Sequence, residues 1–235
     1  MKPFSILSLL SIVPCAVFAQ TLVTDQNTFS KSNQLNNAAQ NRAGVTGAAF
    51  FYNPKFDREG SVHLFDGWDN RARIYLKGGG HFDENNINFN IQRSQFEAKK
   101  AKDSIATYNF RSIEKITVGG RTFKSFYYDA LKRGKIFEIV YEGDNFNILK
   151  NYEIDIQQAS PNPMLARGRD KVIQRHDYYV ETKEKVEKFK LKRKTILALL
   201  GPEKAEKAGN YAKKHRMSFR KEADLNKILN YAHRD

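Results

Sequence analysis

Cysteine, tryptophan, long apolar runs and acidic residues are all scarce in this chain, and each scarcity removes options. Of 235 residues, one is Cys and one is Trp. The cysteine, Cys15, lies inside a stretch with the anatomy of an export signal. Lys2 precedes the apolar run Phe4 to Val13, and Val17-Phe18-Ala19 follows with small residues at the −3 and −1 positions of a cleavage site. Cleavage after Ala19 is predicted, leaving Gln20 as the new N-terminus. The processed chain then has no disulfide, no thiol nucleophile and no Cys-based metal site. Lipidation of Cys15 is the open alternative to its removal, although Pro14 is a poor residue before an acylated cysteine. No later stretch approaches the ~20 apolar residues of a membrane span, so the mature chain is expected to be exported, and periplasmic, outer-membrane-associated or secreted.

Catalytic and cofactor motifs are missing too. The five histidines, His63, His81, His176, His215 and His233, form no HExxH pattern. No GxSxG elbow is present. Gly78-Gly79-Gly80 is followed by His81-Phe82-Asp83 and a strand pattern, not by Gly-Lys-Ser/Thr opening a helix, so it reads as a hairpin loop rather than a phosphate cradle. His81 and Asp83 share one side of a strand, but two ligands are too few for a metal site. Neither a metal nor a cofactor is expected.

Acidic residues number 26 against 40 Lys and Arg, a formal net charge of +14. The excess is uneven: residues 167–235 hold 20 Lys and Arg but only 10 Asp and Glu. A basic segment of this kind suits an anionic membrane surface or an acidic partner. Export makes nucleic acid the less expected one.

What is present is mostly β pattern. Residues 1–19 read as signal, 20–45 as an Asn/Gln/Ser/Thr-rich flexible leader, 46–192 as an antiparallel β domain and 193–235 as a basic helical tail. Segments at 61–65 and 73–76 flank the turn residues Asp66-Gly67-Trp68-Asp69-Asn70. Ile87, Phe89 and Ile91 alternate with polar residues, the mark of a half-buried strand. A hairpin is predicted across Gly119-Gly120, another across residues 142–145, and a last one across 181–184. Phe146, Ile148, Tyr152, Ile154 and Ile156 share one parity, broken only by Lys150, which predicts one buried and one wet face. Ser160-Pro161-Asn162-Pro163 interrupts the series as a loop. Successive strands at short spacing predict an antiparallel meander forming a barrel or a strongly curved sheet, with a small C-terminal helical segment.

In the tail, Gly201 and Pro202 separate a helix at 195–200 from one at 203–215. Leu225, Ile228, Leu229 and Ala232 form an apolar stripe on a third. The tail is too small for a core of its own and should pack on the sheet or on a partner. Deleting residues 193–235 is expected to leave the β domain folded.

Two groups of residues are candidates for function. One is the loop-rich end carrying Asp66, Trp68, Asp69, His81 and Asp83; with Glu84, its acids would serve a hydrolase of envelope or dietary polymers, although turn acids commonly bond to backbone. The other is the basic surface of Lys190, Lys192, Arg193, Lys194, Lys213, Lys214 and Arg220. Strand aromatics at Phe126-Tyr127-Tyr128 and Tyr178-Tyr179 put rings on both faces, one of which must be core. The expectation is a non-enzymatic envelope protein that binds an envelope protein or anionic surface through its tail. A hydrolase and a lipid-binding barrel are the alternatives.

Three stretches carry a resemblance: Leu64-Phe65-Asp66-Gly67-Trp68 followed by Ile87-Asn88-Phe89-Asn90-Ile91; Ile113-Glu114-Lys115-Ile116 through Phe123-Lys124; and Phe189-Lys190-Leu191-Lys192 through Met217 to Leu225. In these the chain resembles a family of uncharacterised exported proteins of Bacteroidetes. The resemblance implies a periplasmic or outer-membrane-associated location and carries over no catalytic residues.

Overall fold

A computed structural model describes residues 49–51, 58–102, 104–159, 169–183 and 185–234. The predicted signal at 1–19, the leader at 20–45, Cys15 and the Ser160–Pro163 loop lie outside the described residues. No helix among the described residues is long and apolar enough to cross a membrane.

The chain is mainly β, and its strands divide between two antiparallel sheets. The smaller is built from β1 (Ala49–Phe51), β4 (Ile87–Asn90), β5 (Gln95–Ala101) and β6 (Ser104–Tyr108), in the order β1-β6-β5-β4. The larger holds β2 (Ala72–Leu76), β3 (His81–Glu84), β7 (Ile113–Val118), β8 (Arg121–Tyr128), β9 (Arg133–Glu142), β10 (Asn147–Gln157), β11 (Lys171–Thr182) and β12 (Lys185–Phe189). From β7 to β12 it is the predicted meander; the β2–β3 hairpin adds at the β7 edge. The β7–β8 turn is the predicted one. Gly119 and Gly120 both have positive φ, +57° and +73°, as a two-residue hairpin turn of the twist-matched type requires.

The larger sheet is open, with β12 and β3 as its edges, so the predicted barrel does not close. It is nonetheless strongly curled. Cα atoms of β12 and β8 approach within 8 Å, although four strand spacings on a flat sheet would hold them roughly 19 Å apart. Phe137, Leu149, Tyr179 and Val186 fill the inside of the curl, with Phe126, Tyr128 and Ile139 packed against them. This corrects the expectation of a wet second face on β10. Leu149 and Asn151 are buried there, and only the far end at Glu153, Asp155 and Gln157 is exposed.

The opposite face of the larger sheet has two covers. The small sheet lies over one end, burying Ile74, Phe89, Phe96, Tyr108, Ile116 and Phe123. Three helices lie over the other: α1 (Arg193–Leu200), α2 (Pro202–Lys214) and α3 (Glu222–Ala232). Their apolar stripes, including Ile196, Ala208, Leu225, Ile228 and Leu229, share one core with Val140, Tyr141, Phe146, Ile148 and Val180 of the sheet. A one-residue bulge in β9, between the pairs Ile139–Leu149 and Tyr141–Ile148, lets Val140 and Tyr141 both face the helices.

A strap at residues 59–64 joins the sheets. Glu59 exchanges backbone hydrogen bonds with Asp170 and Val172, beside the part of β11 that the short β12 leaves unpaired. Leu64 donates to the Phe89 carbonyl, and Ile91 to that of Val62, on β4 and its end. Gly60 has φ +99°, and a Cβ there would lie 2.8 Å from the Val172 carbonyl oxygen, so a side chain has no room.

Candidate functional site

The strap leads into the loop that carries Asp66, Trp68 and Asp69. Asn88 of β4 knits this loop together. Its Oδ1 accepts from the Phe65 N–H at 3.0 Å, and its Nδ2 donates to the carbonyls of Phe65 and Gly67. Asn70 donates to the Gly67 carbonyl as well. The two amides thus hold the turn, while Asp66 and Asp69 stand exposed. Trp68 is half-buried, with its ring edge-on to His63 at 4.7 Å.

His81 and Asp83 sit at alternate positions of β3. The hairpin register sets Arg73 directly opposite Asp83, and Arg71 reaches the same carboxylate. The hydrogen bonds from Arg73 and then Arg71 pull the Asp83 carboxyl down to about 2. It is ionised at neutral pH and has no proton to donate to a leaving group. The His81 ring lies 5.7 Å from Tyr75. Among the described residues, no hydrogen bond, ion pair or ring contact joins the Trp68 loop to this pair. Glu84 turns the other way, into the core, where Lys100 and Tyr108 donate to it.

The densest polar arrangement lies elsewhere, in the seam between the two covers. Register places Glu138, Lys150 and Tyr178 side by side across β9, β10 and β11, with Tyr152 opposite His176 in the next row. Arg121 binds Glu138 through two nitrogens, at 3.0 and 2.5 Å. Tyr152 donates to the same carboxylate and accepts from Arg121. Glu222, the first residue of α3, receives Lys150 at 2.8 Å and the Tyr178 hydroxyl at 2.5 Å. Burial, then the adjacent carboxylates, push both phenols well above the usual tyrosine range. Burial opposes ionisation of Glu222, but the bonds from Lys150 and Tyr178 outweigh it and hold the carboxyl below its ordinary value. Phenols kept protonated and carboxylates kept charged make a joint, with donors and acceptors matched, rather than an acid–base pair poised near neutrality. In the sequence its one signal is Lys150, the interruption in an apolar face.

Glu222→Gln is expected to lower stability by about 1 kcal/mol, since a half-exposed charged bond is replaced by a neutral one. Because the folded-state pKa is depressed, this contribution is present above the unfolded value of roughly 4.3 and is lost as pH falls through the lower folded one. Urea midpoints of the two proteins should therefore differ at pH 7 and draw together as pH falls through that lower folded value.

The predicted basic surface is all exposed. Among the described residues, Lys190, Lys192, Arg193, Lys194, Lys213, Lys214 and Arg220 form no ion pair, even though the strands around them are laced with such pairs. Arg193 lies over α2: a Cβ on Gly209 would be 3.2 Å from its guanidinium. Lys213 follows Gly209 by one turn on the same face of the helix, which brings the charges of the β12–α1 junction beside those at the end of α2.

No family model, curated protein or solved structure matches the chain. Among the described residues no three His, Cys, Asp or Glu side chains gather in a way that would hold a metal ion.

Proposed function

We propose that the protein is a non-enzymatic, exported envelope protein, a β scaffold whose basic helical face docks on an anionic surface. The observation that carries this reading is the set of seven exposed cations, Lys190, Lys192, Arg193, Lys194, Lys213, Lys214 and Arg220, which form no ion pair among the described residues. Unpaired surface cations repel one another in the free protein and lose that repulsion when an anionic partner neutralises them. The shared core beneath the helices favours a fixed display of these charges over a loose tether. An acidic envelope protein presents the same charge and is the alternative occupant. The resemblance to the exported Bacteroidetes family implies the same location.

Two features weigh against the other readings. Asp83 is clamped in its charged form by two arginines, which suits structure better than hydrolysis. Among the described residues, the inside of the curled sheet is filled by Phe137, Leu149, Tyr179 and Val186, which counts against a lipid-carrying barrel.

The test is flotation with vesicles. Each basic residue near an anionic bilayer contributes about 1 kcal/mol, so changing Lys190, Lys192, Lys194 and Arg220 together to Gln should weaken binding to phosphatidylglycerol vesicles by roughly a hundredfold or more. Binding should also fall steeply with salt. Wild-type protein that stays unbound at low salt, or a quadruple variant that floats like wild type, defeats the reading.

A further inference from the structure

Between α2 and α3, beside the basic face, lies a recess of about 370 Å³. Its lining is Lys207, Asn210, Tyr211, Lys214 and His215 of α2 and the turn after it, and Tyr231 of α3. Lys207, Tyr211 and Lys214 recur at helical spacing along one face. Tyr211 and Tyr231 stack with centroids 4.0 Å apart and planes 13° off parallel. The His215 ring lies 4.4 Å from Tyr211. This pile of rings fixes the two helix ends against each other and gives the recess a rigid wall.

Lys207 is held in place before any ligand arrives. Its Nζ donates to the Arg234 carbonyl and sits 5.6 Å from the centre of the Tyr231 ring. Both contacts leave donors to spare on the ammonium. Among the described residues no acid lines the recess, and the hydroxyls of Tyr211 and Tyr231 have no hydrogen-bond partner. The acids on α3 are engaged elsewhere, Glu222 by Lys150 and Tyr178 and Asp224 by the Ser218 N–H, while on α2 Glu203 and Glu206 stand one turn before Lys207 and Asn210 without lining the recess. The negative helix ends here oppose an anion by about half a charge each, which the full charges of Lys207 and Lys214 outweigh.

We propose that this recess is a binding site for a phosphate-type oxyanion. Lys207 and Lys214 would supply the charge, with the Asn210 amide and the two tyrosine hydroxyls as further donors. The volume suits a single headgroup rather than a polymer chain. The chemistry is that of a phosphoryl group, whether free or on a lipid headgroup. The assignment rests on the reading of the helical face as a docking surface and says where on it one anionic group seats.

The experiment uses the full chain in two arms: calorimetric titration with inorganic phosphate, and flotation with phosphatidylglycerol vesicles. It compares wild type, K207Q/K214Q, K207R/K214R and the quadruple variant of Lys190, Lys192, Lys194 and Arg220. K207Q/K214Q should lose tenfold or more in at least one arm while keeping the wild-type unfolding midpoint, and K207R/K214R should restore binding. Loss in the phosphate arm identifies a free anion as sufficient; loss in the vesicle arm alone identifies the lipid headgroup as the source. Phosphate binding that depends on Lys207 and Lys214, with no vesicle binding by wild type, upholds the recess and defeats the docking surface. Vesicle binding lost in the quadruple variant but unchanged in K207Q/K214Q, with no phosphate binding, upholds the surface and overturns the recess.

Discussion

Leu225→Ala is expected to remove about 2–5 kcal/mol of stability, a large share of the total for a domain of this size. Leu225 is 0% exposed, as are its stripe partners Ile228 and Leu229 on α3. The core they enter is completed from the sheet side by Val140, Tyr141, Phe146, Ile148 and Val180. Truncation leaves a cavity walled by two elements that cannot both move in, which puts the loss toward the upper end of that range. The exposed Tyr127 is the control: its truncation should cost under about 0.5 kcal/mol. Urea unfolding followed by circular dichroism reads both. The same shared core argues against the expectation that the β domain stays folded without residues 193–235. Ile148 and Phe146 would be uncovered on a sheet face with no replacement cover, so the truncated chain should aggregate or bind a hydrophobic dye. A truncated chain that stays monomeric and unfolds cooperatively at the wild-type midpoint would sink this account. Docking is for that reason tested with point substitutions, since deleting the tail also uncovers the core it shares with the sheet.

Local features were legible in the sequence because local chemistry decides them. Two glycines between alternating runs specify the β7–β8 turn. The stripe of Leu225, Ile228, Leu229 and Ala232 specifies α3, and Gly201-Pro202 the break before α2. The division into two sheets was not legible, because it depends on pairings such as Phe50–Ala106 and Ile74–Ile116, made between strands far apart in the chain. The buried second face of β10 was hidden for a related reason. Leu149 stands among Asn147, Asn151 and Glu153, and only the curl that brings β12 over β8 encloses it. At the loop-rich end, Asp83 looked like an unassigned acid. The Arg73–Asp83 pair follows from the register of the β2–β3 hairpin once Gly78–Gly80 is taken as its turn, so that signal was available. The seam was not: Glu222 lies 72 residues beyond Lys150, and no local pattern links them.

The second large effect is expected at Glu97, whose side chain is 0% exposed. Its Oε1 accepts from Asn90 at 3.0 Å and from Arg93 at 3.3 Å, and its Oε2 faces His63 Nε2 at 2.9 Å. One carboxylate therefore ties β5 to β4, to the turn after it and to the strap between the sheets. Burial pushes its carboxyl up, but the bonds from His63 and Asn90 and the charge of Arg93 outweigh this and hold it below the ordinary range. Glu97→Ala leaves the Asn90 amide and the His63 ring beside a hole, and removal of one member of a buried charged group costs about 3–5 kcal/mol. Glu97→Gln keeps an acceptor for Asn90 and should cost less than half of that. The depressed pKa fixes the sign with pH. The charge-dependent part of the Glu97 contribution is complete above roughly pH 4.3 and disappears as pH falls through the lower folded value, so the gap between wild type and Glu97→Ala should narrow there, leaving the cost of the hole. The strap supplies a local readout besides the midpoint. The Leu64, Ile91 and Val172 amides are bonded to or from it, and they should exchange with deuterium faster in Glu97→Ala while the Ile116 and Phe123 amides, between β7 and β8, stay closer to wild type relative to global stability. Unchanged exchange at those three amides, or a midpoint within about 1 kcal/mol of wild type, would mean that the strap is held by its backbone bonds alone and that Glu97 is not what fastens the two sheets together.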